Sequence, residues 1–327
     1  MDKISIIIPN LNGLQHLEYC IPSIYEQKKG LNGEAISIDY DIIVADNGST
    51  DASIDLLENN YPQVKIIKFN NNTGFAPAVN AGIRYSMEHF PGNIILLLNN
   101  DIELKEDFLA QAVKTFYQYP DCGIAAVKMM NFKERNKFDD TGNFITKKGG
   151  TSYPRGNGVI DTGQFDKSEY IFGACAGAAF YKENVFRTIG MFDEEFFAYL
   201  EDIDVSFRAQ LAGIKCVYQP KAVCYHKRGG STISTFKFQM KMNERNILWV
   251  RIKNYPLLLY IVYQPLFFAS RMRRFYLIWR YNGFECLVSA ISGYLEGILK
   301  ILSFIPKRIR IQKKKAVGTK YIFSLFR

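Results

Sequence analysis

Ile94-Ile95-Leu96-Leu97-Leu98-Asn99-Asn100-Asp101, residues 94–101, is the stretch that sets the fold class. Five apolar residues without a charge stop abruptly at two amides and a carboxylate. That pattern reads as a strand buried on both faces, as in a parallel sheet. Three upstream stretches repeat the form: residues 4–8 stop at Pro9-Asn10, residues 41–45 at Asp46-Asn47-Gly48-Ser49, and residues 65–69 at Asn70-Asn71-Asn72. Between them the apolar spacing turns helical. Leu14, Leu17, Ile21 and Ile24 predict a helix over 14–27, and two more fall over 51–59, capped by Ser49 or Thr50, and near 76–89. Strand, loop and helix repeated at this pace predict a doubly wound α/β sheet, whose ligand sits outside the carboxyl ends of the strands. All four ends are polar, so one crevice is expected to collect them.

The chain has 327 residues, 48% of them hydrophobic, enough for one large α/β domain and a smaller appendage. Charge divides it. Residues 1–226 carry 21 Lys and Arg against 29 Asp and Glu, whereas residues 227–327 carry 20 against 3. A basic end fits nucleic acid, an anionic membrane or an acidic partner equally by sign. Six scattered cysteines without a C-x-x-C pair read as buried thiols in a reducing compartment. The amino-terminal residues run straight into a strand with no signal-peptide pattern, so the chemistry is expected on the cytoplasmic side.

Further along, residues 133–169 lack periodicity and read as an irregular hairpin or mobile loop. Residues 171–181 are rich in Gly and Ala, a place of close backbone or ligand approach. Helical spacing resumes at Glu201, and residues 215–218 read as a late strand. Asp101 at a strand tip suits a hard divalent cation beside diphosphate oxygens, or else caps a helix over 103–116 whose first turn holds Glu103, Glu106 and Asp107. Glu201 and Asp202 follow the aromatic run Phe192, Phe196, Phe197, Tyr199, a setting that raises carboxyl pKa values and suits a general base. Asp202 shares a helical face with Ser206 and is equally readable as a plain helix residue, while Asp204 and Arg208 form an i,i+4 ion pair. His226, just before Lys227-Arg228-Gly229-Gly230-Ser231, reads as a metal ligand, a diphosphate contact or a loop histidine; with no sulfur set nearby, the ion is Mn²⁺ or Mg²⁺ rather than zinc. His16 and His89 lie on amphipathic helices and read as surface or satisfied residues.

Six ordered segments then resemble glycosyltransferase family 2, with its nucleotide-sugar-binding GT-A fold: SIIIPNLNG, DIIVADNGSTD, NNTGFAPAVNAGI, ILLLNNDIEL, the long run from GACAGAAF through FFAYLEDIDVSFR to YHKRGGST, and Arg245-Asn246, together covering residues 4–246. By this resemblance Pro9, Asn10 and Asn12 line the nucleotide pocket, and Asp46 holds a pyrimidine base with Asn47 and Ser49 beside it. Asn72, Gly74, Phe75 and Asn80 close over the nucleoside. Asn99-Asn100-Asp101 stands where many relatives have D-x-D, which leaves Asp101 as metal ligand, Asn99 as a sugar or ribose contact, and His226 as the second protein ligand. Asp202 is the matching base and Glu201 its acceptor-side neighbour. The implied reaction is an inverting, metal-dependent transfer of a sugar from a nucleotide diphosphate to a hydroxyl of a cell-surface or lipid-linked glycan. The look is that of the rhamnosyltransferase branch, with dTDP-rhamnose as donor and a UDP-sugar as the alternative.

Residues 247–327 lose the family pattern and form a helical, basic, amphipathic extension after the 1–246 domain. The uncharged stretch 254–270 is short for a spanning helix, and residues 284–305 carry Glu285, Glu296 and Lys300. Interleaved Arg, Lys, Tyr and Trp fit the inner face of the cytoplasmic membrane, or else a solvated bundle or oligomer interface. No nucleic-acid motif accompanies the charge. A sugar nucleotidyltransferase requires a basic Gly-rich loop after the first strand, and PNLNGLQ has no Lys or Arg. A non-catalytic scaffold of this fold is the reading from another class.

Overall fold

The computed structural model describes residues 3–27, 38–148, 150–228 and 236–327; Gly229, Gly230 and Ser231 of the sequence argument lie outside them. The first half alternates as its hydrophobic pattern dictates: β1 (Lys3–Asn10), α1 (Leu14–Tyr25), β2 (Asp39–Asp46), α2 (Ser53–Asn60), β3 (Lys65–Lys68), α3 (Phe75–His89), β4 (Ile94–Leu98), β5 (Ile102–Leu104) and α4 (Phe108–Gln118). There follow β6 (Cys122–Asn131), β7 (Phe138–Asp140), β8 (Asn143–Ile145), β9 (Ser152–Pro154), β10 (Glu169–Ile171), β11 (Ala178–Lys182), α5 (Glu183–Ile189), α6 (Glu201–Leu211) and β12 (Lys215–His226). The chain ends in α7 (Phe236–Asn254), α8 (Leu257–Val262), α9 (Gln264–Asn282), α10 (Phe284–Leu299), α11 (Ile305–Lys313) and α12 (Thr319–Ser324).

The main sheet runs β10-β12-β6-β11-β4-β1-β2-β3. β3, β2, β1 and β4 are mutually parallel, and so are β6 and β12, while β11 is antiparallel to both β4 and β6. Successive residues of one strand feed opposite cores. Ile6 and Ile8 join Leu17, Ile21 and Phe108 on one face, and Ile7 joins Val79 and Ile83 on the other. Helices cover both faces, which is why these strands read as unbroken apolar runs.

Three local expectations change. The helix expected over 103–116 starts at Phe108, because Ile102 and Leu104 pair with His226 and Cys224 of β12; Asp101 therefore caps no helix. The helix expected over 51–59 starts at Ser53, and Asp51 rather than Ser49 or Thr50 accepts its first amide, at 3.1 Å. Residues 133–169 do hold a hairpin, β8 and β9 pairing antiparallel, with β7 ahead of it. The late strand runs on to His226 across a register shift between Gln219 and Val223, where Pro220 has no amide to give the ladder. His16 is buried with Tyr19 as a partner, and five of the six free cysteines are buried.

The carboxyl-terminal helices share a core with the sheet domain. Phe207 and Leu211 of α6 pack with Trp249, Tyr255, Phe267, Phe304 and Phe326, and α7 continues unbroken past residue 246. Among the described residues no single helix is long and apolar enough to cross a membrane; α10 and α11 pass that test only as a pair bent by 56°.

Candidate functional site

The polar ends of β1, β2 and β4 meet in one hydrogen-bonded group. Asn10 Nδ2 donates to Asp46 Oδ1 at 2.9 Å, and Asn100 Nδ2 donates to Asn10 Oδ1 at 2.7 Å. The Ser49 hydroxyl donates to Asp46 Oδ1 at 2.5 Å and accepts from the Asn12 amide at 2.9 Å. Pro9 sits in register with Ala45 beside them. The sequence shows why the loop is tight: a Cβ on Gly13 meets Asn100 Nδ2 at 2.1 Å and Asn10 Oδ1 at 2.3 Å, so only glycine lets the two asparagines join. This contact was missed in the sequence; a glycine three residues past the end of β1 was its only signal.

A second group forms the loop after β3. Asn47 Nδ2 donates to Asn72 Oδ1 and to the Gly74 carbonyl, both at 2.9 Å, and Asn47 Oδ1 accepts from the Thr73 amide. Gly74 has φ 96° and ψ 174°, a conformation open essentially to glycine alone, and a Cβ there meets the Phe197 carbonyl at 2.6 Å. The Phe75 amide donates to that carbonyl, and the Phe75 ring lies edge-on to Phe192. Asn80 is placed differently from the expectation. Its amide is engaged by Phe192 and Glu194, so it ties α3 to residues 192–194 instead of presenting to the crevice.

At the tip of β4, Asp101 faces His226. Asp101 Oδ1 lies 3.3 Å from His226 Nε2, and His226 Nδ1 lies 2.8 Å from Asp139 Oδ2. All three are buried, and Arg228 closes on the other oxygen of Asp139. Burial pulls the imidazole pKa down, but hydrogen bonds and charge from Asp101 and Asp139 outweigh it and lift it to about 9. For Asp101, burial pushes up, and the His226 hydrogen bond and charge, with His16 nearby, bring it below the usual carboxylate range. Asp139 and Asp140 were not singled out in the sequence. They belong to residues 133–169, where the adjacent carboxylates ahead of Thr141-Gly142 were the available sign.

Asp202 lies in the first turn of α6, near enough to Asp140 for the two charges to interact. Its Oδ1 accepts from the Ile203 amide at 2.7 Å, the Ala176 amide also bonds its carboxylate, and Asn143 Nδ2 lies 3.4 Å from Oδ2. Burial raises its pKa. The Asn99 amide donates to the Gly177 carbonyl at 2.8 Å, so residues 176–177 join the base candidate to the Asn99-Asn100-Asp101 strand end. Glu201 is buried, Oε2 has no hydrogen-bond partner among the described residues, and burial with the Asp202 charge lifts its pKa to about 8. Burial lifts Asp140 to about 7. One turn further along α6, Ser206 packs against Gly173, where an added Cβ meets its hydroxyl at 2.1 Å.

Asp204 and Arg208 form the expected ion pair at 2.9 Å, fully interior and extended by Lys253 at 2.8 Å. Burial works against the Asp204 charge, yet Lys253 and Arg208 hold its pKa down at about 2. Residues 197–200, just ahead of α6, are strained: Phe197, Tyr199 and Leu200 have φ of 63°, 71° and 65°. Each such non-glycine residue costs about 1–3 kcal/mol and persists only where the surroundings over-determine it. A cavity of about 720 Å³ between Pro91, Phe116 and Arg187 lies at the opposite end of β4 and contains none of these groups.

Residues 5–190, more than half of the chain, match glycosyl transferase family 2. The dTDP-rhamnosyl transferase RfbF of Shigella flexneri is 28% identical over 266 residues, covering 79% of this chain and 86% of that protein. The N-acetylglucosaminyl-diphospho-decaprenol L-rhamnosyltransferase of Mycobacterium tuberculosis is 24% identical over 208 residues, 58% of this chain and 67% of that enzyme. Among solved structures, GalNAc-T7 with UDP, GalNAc and Mn²⁺ superposes with a TM-score of 0.61 at 14% identity, over 94% of this chain and 58% of that one. The mannosyltransferase PcManGT of Pyrobaculum calidifontis, in complex with GDP-Man and Mn²⁺, gives 0.53 at 14% identity, over 98% and 87%. Likeness at this identity establishes the fold, a GT-A sheet with a helical carboxyl-terminal region. The chain belongs to glycosyltransferase family 2 and is a glycosyltransferase.

Proposed function

We propose that the chain is an inverting enzyme that transfers a sugar from a nucleotide diphosphate donor to a glycan hydroxyl, with Asp202 as general base. The observation that carries this reading is the link through residues 176–177: one short segment holds Asp202 through the Ala176 amide and the Asn99-Asn100-Asp101 end through the Gly177 carbonyl. Asp202 accepts the acceptor proton as that oxygen bonds to the anomeric carbon and the donor C–O bond breaks. Its electron pair leaves with the diphosphate, and the anomeric configuration inverts. General-base assistance of this kind contributes about 10²–10⁴ in rate. Glu201, beside Asp202, is assigned to the acceptor side.

The donor set fits Mn²⁺ or Mg²⁺: a buried carboxylate oxygen and an imidazole nitrogen 3.3 Å apart, with Asp139 holding the other ring nitrogen, and the ion would displace the proton that Asp101 and Asp139 otherwise keep on His226. Among the described residues there is no cluster of three or more His, Cys, Asp and Glu ligands, so Asp101 and His226 are the residues that would hold the ion. Such an ion supplies charge neutralisation for the leaving diphosphate. Pro9, Asn10, Asn12, Asp46, Asn47, Ser49, Asn72, Gly74 and Phe75 are proposed to surround the nucleotide, with Asn99 and Asn100 at the sugar and Asn80 acting through residues 192–194. Similarity to two rhamnosyltransferases favours dTDP-rhamnose over a UDP-sugar and a lipid-linked or cell-envelope acceptor.

We assign transfer to residues 1–246 and attachment at the inner membrane face to residues 247–327. The support is an inverted helix. α10 buries its small side, Cys286, Ala290, Gly293 and Gly297, while Phe284, Val288, Ile291, Leu295 and Leu299 are 38–83% exposed.

A thermal-shift series with dTDP, UDP and GDP, each with and without Mn²⁺ or Mg²⁺, tests the site. Stabilisation by dTDP or UDP that depends on the ion is expected. Equal response with and without metal contradicts the Asp101–His226 assignment.

A further inference from the structure

The turn before α6 is held by two side chains of α7, further along the chain. Phe197, at φ 63° and ψ −63°, is the central residue of a positive-φ γ-turn closed by the Ala198 amide on the Phe196 carbonyl at 2.7 Å. No glycine relieves this turn or the two left-handed residues that follow. Asn246, fully buried in α7, places Nδ2 at 3.1, 2.8 and 2.7 Å from the carbonyls of Phe196, Ala198 and Tyr199. Arg245 adds a donor to the Phe196 carbonyl at 2.8 Å. Its Nε also donates to Asn246 Oδ1 at 2.9 Å, which fixes the amide with its NH₂ group toward the turn. Arg245 is itself anchored by Glu296 at 3.0 Å and by the face of Trp249.

The turn has two outputs. The Phe197 carbonyl accepts the Phe75 amide at 2.6 Å, on the donor-side loop, and the Leu200 carbonyl accepts the Asp204 amide at 3.0 Å, starting the helix that carries Asp202. We infer that Arg245 and Asn246 are positioning residues, which lock the 196–200 turn so that Asp202 stands at the acceptor while the donor loop keeps its place. This inference rests on the reading of Asp202 as base. Asn246 removed, the carbonyls of Phe196, Ala198 and Tyr199 lose their common donor and the positive-φ backbone has a lower-energy course open to it. Base and acceptor then misalign, and a displacement of about 1 Å costs on the order of 10²-fold in rate.

The experiment compares the full chain with Asn246→Ala and with Arg245→Lys, which keeps the cation for Glu296 and removes the Nε donor. Three quantities are read: amide hydrogen exchange over residues 196–204, calorimetric affinity for dTDP and UDP with Mn²⁺, and release of nucleoside diphosphate from dTDP-rhamnose and UDP-sugars. The expected result is exchange faster by at least about tenfold at Ala198 and Asp204 with β1 and β4 unchanged. Turnover falls about 10²-fold, and nucleotide affinity moves by less than about threefold. Unchanged exchange, or turnover within about threefold of the parent, overturns the inference. So does loss of nucleotide binding and melting temperature in step with turnover, which assigns both residues to general stability. Should Asn246→Ala fail to fold, Arg245→Lys carries the same expectations. Full turnover in Asp202→Asn removes the base assignment instead and leaves the exchange result standing.

Discussion

Glu201 and Asp202 are neighbours in sequence with different surroundings. Asp202 keeps some exposure and accepts the Ile203 and Ala176 amides, whereas Glu201 is buried with one oxygen unbonded. A carboxylate in that position is penalised by desolvation and by Asp202, and its pKa rises from 4.5 to about 8. The folded chain therefore keeps a proton that the unfolded chain has released. This contribution to stability is fully present below pH 4.5 and is lost as the pH rises toward about 8. Asp140, lifted to about 7, acts with the same sign. Glu201→Gln keeps the neutral form at every pH. Its melting temperature is expected to fall less than that of the parent between about pH 5 and pH 8, as followed by circular dichroism. An identical pH slope in the two proteins contradicts the buried, protonated Glu201.

Helix α10 has two faces of different character. Its small side is committed to α7, since a Cβ on Gly293 meets the Lys241 carbonyl at 2.0 Å. Its large apolar side is then forced outward, and α9 repeats this with Phe268, Met272, Tyr276 and Trp279 exposed next to Arg273 and Arg280. Apolar stripes flanked by Arg and interfacial aromatics match an anionic bilayer surface, where each basic residue contributes about 1 kcal/mol. Truncation near residue 250 is a poor test, because it removes Tyr255, Phe304 and Phe326 from the core shared with α6. The better test is flotation of the full chain and of a Val288→Glu, Leu295→Glu double variant with phosphatidylglycerol and phosphatidylcholine vesicles. Parent chain floating with phosphatidylglycerol only, and loss of flotation in the variant, is expected. Equal flotation of both, or of neither, contradicts the lipid face.

At the scale of the molecule, the parallel half of the sheet was legible because β1, β2 and β4 are apolar on both faces and end in polar residues that the fold brings together. The helix starts at Ser53 and Phe108 were not. Asp51 accepts the first amide of α2, and Ile102 and Leu104 are drawn into the ladder by β12, a partner more than 100 residues away in sequence. Asp101, Asp202 and His226 were visible as carboxylates and an imidazole at element ends. Asp139 and Asn143 were not, because β7 and β8 are three residues each and too short for periodicity to show. Arg245 and Asn246 closed the family pattern, but their work on the 196–200 turn is a tertiary relation that no local pattern records. The central claim is that one crevice holds both the donor diphosphate and the base, with separable roles. It is tested most directly by measuring Asp202→Asn for nucleoside diphosphate release from dTDP-rhamnose or UDP-sugars alongside calorimetric nucleotide affinity. The account predicts turnover lower by about 10²–10⁴ with affinity for the nucleotide retained. Turnover near that of the parent chain contradicts it.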